Sequence, residues 1–229
     1  MPEDSPFAGK RQQLSHDVAT HVREMIISGQ VREGEFLRID MLAKKLGTSS
    51  TPVREGLLLL QSESFVRLVP RRGFVVLGFS QQDVRDIFWA QSLLAGELAR
   101  RATKRMTEEE FTEIERLGRA YAETVADGRP DSYHQIGHDF HRAINRAACS
   151  TRLAMMLGMM VRQLPNRFYG MVEGQVSDTI RDHARLVEAM RKRDADEAER
   201  RMRDHIAGGA DHLIAHLEAE GVWREPATG

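Results

Sequence analysis

The punctuation around Gly47 constrains this chain more than any other stretch. Ile39, Leu42, Ala43 and Leu46 repeat at helical spacing and stop at Gly47, a residue suited to the left-handed backbone that ends helices. Ser49, Ser50 and Thr51 then offer caps for a new helix, and Pro52 falls in its first turn, where a missing N–H does no harm. Leu57, Leu58 and Leu60 give that helix an apolar side. Ahead of this pair, Val18, Val22, Met25 and Ile26 mark a first helix at about 15 to 28, with Ser15 and Asp17 near its start and Gly29 at its end. After Glu63 the residues favour strands: Phe65, Val66, Leu68 and Val69, a Pro70-Arg71-Arg72-Gly73 turn, then Phe74 to Leu77.

Helix, helix, helix and basic hairpin is the order of a helix-turn-helix with a wing, an arrangement that fits the major groove of B-DNA. Ser49, Ser50, Thr51 and Pro52 are small enough for the backbone to approach phosphate at a helix N-terminus, and Arg54 can reach a guanine edge or a phosphate. Arg71, Arg72 and Gly73 form a narrow turn placed for phosphate or minor-groove contact, and Arg38 joins the same basic set. Residues 36–76 hold seven Lys or Arg against three acids, a net +4, whereas residues 79–229 hold 22 basic and 25 acidic groups, a net −3. A basic front module fits an anionic partner; the acidic remainder does not.

From Ser80, which forms a capping-box pattern with Asp83, a helical pattern runs almost to the end without a competing strand signal. The expected fold is mainly α: an N-terminal winged helix-turn-helix domain and an all-α helical bundle of about six helices. The expected bounds are a flexible arm at 1–13, a DNA-binding domain at 14–78, a helical effector-binding and dimerisation domain at 79–222 and a tail at 223–229. A lone cysteine, Cys149, excludes an intramolecular disulfide framework and suits a reducing compartment, so the expected location is cytoplasmic. The longest uncharged apolar run, Leu153 to Val161, is far short of the roughly 18 residues that a membrane span needs; it reads as a helix buried in the bundle.

Histidines give the body its chemistry. His183 and His205 each stand 11 residues from Asp194, which makes a second capping-box pattern with Glu197. Across a tight helical hairpin, residues equidistant from the turn lie side by side, so the two imidazoles can face one another. Neutral imidazoles are good ligands for a divalent metal. His141 on another helix, with His138 three residues earlier on nearly the same face, would bring the set to three or four nitrogens.

The stretch Ile27, Gly29, Gly34, Leu37, Leu42-Ala43, Leu46-Gly47, Ser49, Thr51-Pro52-Val53-Arg54-Glu55 and Arg72-Gly73 resembles the winged helix of GntR-family transcriptional regulators, especially those with a helical FCD-type effector domain. With the body, the resemblance covers roughly residues 14 to 220. The family usually has an arginine before that Thr, and here Ser50 stands there. FCD domains typically hold a metal with an Asp, a His four residues later and two further His on the last two helices. His141, His183 and His205 match, but the Asp position is Gly137, while Asp139 points about 160° away from His141. The resemblance thus implies a divalent transition metal of the zinc, nickel or manganese class; with Gly137 at the Asp position, either it is held by nitrogen ligands and water, or it is weak or absent. Relatives bind small carboxylates above that metal with an arginine on the first body helix. Gln91 occupies that position, and a neutral amide gives hydrogen bonds without charge pairing, so the effector expected is less anionic than in most relatives; Arg162, Asn166 and Arg167 near Pro165 are the other polar candidates.

The function expected is a homodimeric, ligand-responsive regulator, a repressor by the commoner sign. It would read a pseudo-palindromic operator in double-stranded DNA and be repositioned by a small-molecule effector, an organic acid or related metabolite. Two alternatives stand beside it. A hydrolytic three-His metalloenzyme lacks an evident general base, and no His-Glu-x-x-His string occurs. A DNA-binding dimer with a vestigial pocket would lack effector response.

Overall fold

The computed structural model describes residues 8–127, 130–165, 168 and 176–223. They form two compact units, one drawn from residues up to Gln81 together with those from Leu217 on, the other from Gln82 to His216. The first unit therefore includes residues 217–222, which the expected bounds placed with the body.

In the first unit the chain runs α1 (Ala8–Ile27), β1 (Phe36–Leu37), α2 (Ile39–Leu46), α3 (Ser50–Ser62), β2 (Val66–Val69) and β3 (Gly73–Val76). Gly47 ends α2 at φ 64° and ψ 32°, the left-handed conformation expected of it. α3 starts with Ser49 at the cap position and Pro52 inside the first turn, also as expected. The helix expected at 15 to 28 begins at Ala8 instead, so residues 8–13 belong to α1 and not to an arm. Past Pro6 nothing in Lys10-Arg11-Gln12-Gln13-Leu14 opposes helix, and these residue types favour it. Ser15 consequently lies well inside α1, where its hydroxyl donates to Glu55 at 2.6 Å.

The hairpin β2–β3 pairs antiparallel, with Val69 opposite Gly73, and gains a third strand that periodicity could not reveal, because β1 is two residues long. Val18, Val22, Ile27, Val53, Leu57, Leu60, Phe65 and Phe74 fill the core of this unit. Burial of a large apolar side chain is worth roughly 1.5–3 kcal/mol. α1 crosses α3 at Gly56, where a Cβ would lie 2.8 Å from the Ser15 carbonyl oxygen and from Val18 Cγ1. Buried Arg23 donates to Glu63 through Nε at 3.1 Å, tying α1 to the end of α3. Trp223, assigned from sequence to the tail, donates its indole N–H to the Phe79 carbonyl at 2.7 Å.

The chain continues through α4 (Gln81–Arg105), α5 (Glu108–Ala126), α6 (Pro130–Ala147), α7 (Thr151–Val161), α8 (Val176–Arg191) and α9 (Ala195–Ala219), which make the second unit from Gln82 to His216. α5 opens with a full capping box between Thr107 and Glu110. At α9 the box is half formed: Glu197 N–H donates to Asp194, while the Glu197 carboxylate engages Arg200 and Arg201. α5 packs against α6 and α8, and Leu98, Ile114, Phe140, Ile144, Leu186 and Met190 form the centre of the bundle. α7 departs from expectation. It is helical, but only Leu157 is buried; Met155 is 62% exposed and Met156 and Met159 are 50% exposed. Among the described residues, no helix is long and apolar enough to cross a membrane.

Candidate functional site

The first unit presents its basic groups outward. Arg38, Ser49, Ser50, Thr51, Arg54, Arg71 and Arg72 are all exposed. Glu55, the acidic neighbour of Arg54, accepts from Ser15, and among the described residues Arg54 and Arg71 have no carboxylate partner. Arg71 sits at the wing tip with φ 63°, and the Arg72 guanidinium lies over the Phe36 ring at 4.3 Å. Two residues in the expected DNA-reading set have structural roles. Pro52 is buried, holding the first turn of α3 against its own core. Gly73 has φ 101°, and a Cβ there would lie 3.0 Å from the Leu37 carbonyl oxygen, so β1 and β3 can pair only around a glycine.

In the second unit α6, α8 and α9 bring three imidazoles together. The metal-competent nitrogens of His141, His183 and His205 all lie within 4.8 Å of one another. The helical hairpin of α8 and α9 places the His183 and His205 rings with centroids 4.8 Å apart, as equal spacing from Asp194 requires. His141 Nε2 reaches 3.3 Å from His205 Nε2. Two nitrogens sharing one tetrahedral ion at about 2.0–2.1 Å would be roughly 3.3 Å apart. His183 is 2% exposed, stacks on Phe140 at 4.3 Å between centroids and meets the edge of Tyr121 at 5.0 Å. Neither of its ring nitrogens has a hydrogen-bond partner among the described residues. An imidazole buried without any partner is costly, and an ion bound to it would remove that cost.

Electrostatics agree with a ligand role. Burial, and then the neighbouring His205, hold His141 and His183 well below the usual imidazole range, so both are neutral with a lone pair available at pH 7. Asp182 Oδ2 lies 3.9 Å from His205 Nδ1, on the side of the ring away from His141. This imidazole holds the Asp182 carboxyl below its usual range. A carboxylate behind a ligating histidine fixes its tautomer. The donor set of His141, His183 and His205 thus fits a divalent transition ion.

His138 does not join this trio: it is half-buried on the wall of the adjoining cavity, one turn before His141. Asp139 turns away and pairs with Arg142, as its angle on α6 implied. The cavity, about 970 Å³, opens beside His141 and His205 and is walled by residues of α4, α6, α7, α8 and α9. Gln91 lines it but is 2% exposed, and its amide N–H donates to the Met160 carbonyl at 3.3 Å. Arg162 is exposed and absent from the wall; Asn166 and Arg167 lie outside the described residues. Sequence reasoning missed Asn145 and Arg146, which do line the cavity, and Asp182, whose only signal was its place beside His183.

A winged helix followed by a helical bundle with a histidine centre and a cavity defines a class of protein: a transcriptional regulator with separate DNA-binding and effector domains. Residues 14–76 match the bacterial regulatory proteins of the gntR family, and residues 86–208 match the FCD domain. The chain belongs to this family, whose members are regulators and not enzymes, which sets aside the hydrolase alternative. It is 26% identical to the Glc operon transcriptional activator of Escherichia coli over an alignment of 237 positions that covers 93% of each chain. It is 24% identical to the Bacillus subtilis regulator YdhC over 204 residues, 87% of this chain and 90% of the relative. Its fold matches E. coli McbR/YncC with a TM-score of 0.60, at 21% identity, over 91% of this chain and 98% of the other. The Listeria monocytogenes protein Lar also matches with a TM-score of 0.60, at 13% identity, over 88% of this chain and 96% of the other.

Proposed function

We propose that this regulator acts in the cytoplasm as a homodimer on a pseudo-palindromic operator, and that an organic-acid effector bound beside a metal at His141, His183 and His205 releases it from DNA. Arg54 and the wing tip, both exposed, carry the reading of the first unit: Arg54 contacts the major groove, while Arg38, Arg71 and Arg72 position the domain on phosphate. Ser49, Ser50 and Thr51 bring the α3 N-terminus to the backbone. Two-fold symmetry of the protein would be mirrored in the site.

The single observation that carries the sensing role is the orphaned, buried His183 packed against His141 and His205, which line a cavity of about 970 Å³. A vestigial pocket would not need to keep a polar ring unsatisfied in the core. His141, His183 and His205 would hold an ion that would supply an electrophilic attachment point for a carboxylate, and Asp182, behind Nδ1 of His205, would favour the tautomer that leaves Nε2 free for it. Effector that prefers one placement of the two DNA-binding domains shifts the dimer toward it, and operator affinity changes by the same coupling. The test is binding of the full-length protein to the DNA upstream of its own gene, with zinc-loaded and chelated protein, and with carboxylates added. Salt-dependent binding weakened by a carboxylate only in the metal-loaded form is expected. Binding that ignores both metal and carboxylates would contradict the sensing role.

A further inference from the structure

Among the described residues, the cavity wall contains one guanidinium whose charge is not already used by a carboxylate. Arg142 is held by Asp139, and Arg181 by Asp178 at 2.8 Å with Asp182 3.6 Å away. Arg146, exposed on α6, has no carboxylate partner among the described residues. Resting on the metal-anchored reading above, we propose that Arg146, and not Gln91 or Arg162, is the residue that selects the effector, and that the effector is a dicarboxylate spanning from the metal centre to this guanidinium.

Geometry and charge both lead there. Arg146 is five residues beyond His141 on one helix, about 7.5 Å along the axis and about 140° around it, and lines the cavity from the flank of α6. Asn145, four residues beyond His141 and so on nearly the same face, lines the path between them. Imidazole ligands bring no negative charge to a divalent ion, and Gly137 supplies no carboxylate, so an anionic group is drawn to an ion held by His141, His183 and His205. Asp204, exposed on α9, is an acidic group on the wall and repels a further anion there, which directs the other carboxylate along α6. Gln91 is already committed to the Met160 carbonyl and brings no charge.

The experiment is a binding titration of zinc-loaded full-length protein with acetate, malonate, succinate, glutarate and adipate, followed calorimetrically. At least one dicarboxylate should bind tenfold or more tighter than acetate. Arg146→Gln should abolish that advantage while leaving acetate affinity and zinc content unchanged, and Arg162→Gln should keep it. Retention of the advantage in Arg146→Gln, its loss in Arg162→Gln, or equal affinity for acetate and every dicarboxylate would overturn the inference alone. No carboxylate binding at all, or binding unaltered by His183→Ala, would overturn the metal-anchored reading and this inference with it.

Discussion

Nε2 of His205 lies 3.3 Å from Nε2 of His141, a separation that suits two ligands of one tetrahedral ion. Without an ion, one of these rings can donate to the other; His183, beside them, has no such outlet among the described residues. His183→Ala should therefore abolish stoichiometric metal binding by elemental analysis. It should also lower the melting temperature of metal-loaded protein more than that of chelated protein, because binding to the folded state alone is what the ion adds. Equal metal content in mutant and wild type would refute the site.

Gly137 occupies the position where the family resemblance places an aspartate, four residues and about one turn before His141. Gly137→Asp should add an anionic ligand and raise metal affinity tenfold or more in competition with a chelator. It should also weaken carboxylate binding, because the ion would no longer carry its full charge toward the cavity.

Asp182→Asn removes the charged acceptor behind His205 Nδ1 while keeping its shape. Metal affinity should fall about 10–100-fold, and the nitrogen chemical shifts of His205 should show a mixed tautomer in place of a single one. Unchanged shifts would deny the aspartate its positioning role.

The pH dependence of chelated protein follows from the buried imidazoles. His141 and His183 titrate in the folded state well below their usual range, so on acidification the unfolded chain takes up their protons first. Stability contributed by these groups is present above about pH 6.5 and declines as pH falls below it. Glu97, lowered to about 2 by the hydrogen bond from Arg100, acts in the same direction, its contribution being lost from the ordinary carboxylate range downward toward pH 2. Denaturant midpoints of chelated protein between pH 8 and 5 should therefore decrease, and His183→Ala should flatten the curve.

Much of this was legible in the sequence, for identifiable reasons. Gly47, Pro52 and the Pro70–Gly73 turn act locally through backbone conformation, so α2, α3 and the hairpin follow from them. The pairing of His183 with His205 follows from equal spacing about Asp194, which is also local. What failed depended on distant partners. β1 exists only because β3 offers it an edge, and the exposure of Met155 and Met159 on α7 depends on which neighbours pack there. Gln91, which follows from the family resemblance, does line the cavity; Arg162 rests only on its place near Pro165, whereas the wall is set by the crossing of five helices, which brings Asn145 and Arg146 into it.

The central claim is that the first unit reads duplex DNA through its exposed basic groups. Its most direct test is the salt dependence of binding to the upstream DNA of the gene, measured by fluorescence anisotropy for wild type, Arg54→Ala and Arg71→Ala. The affinity of wild type should fall linearly with salt on logarithmic axes. Arg71→Ala should lower the slope by about 1, as removal of one phosphate-neutralising charge requires, and Arg54→Ala should cost about 1–3 kcal/mol if it reads a guanine. Binding that is independent of salt, or unchanged in both variants, would contradict the account.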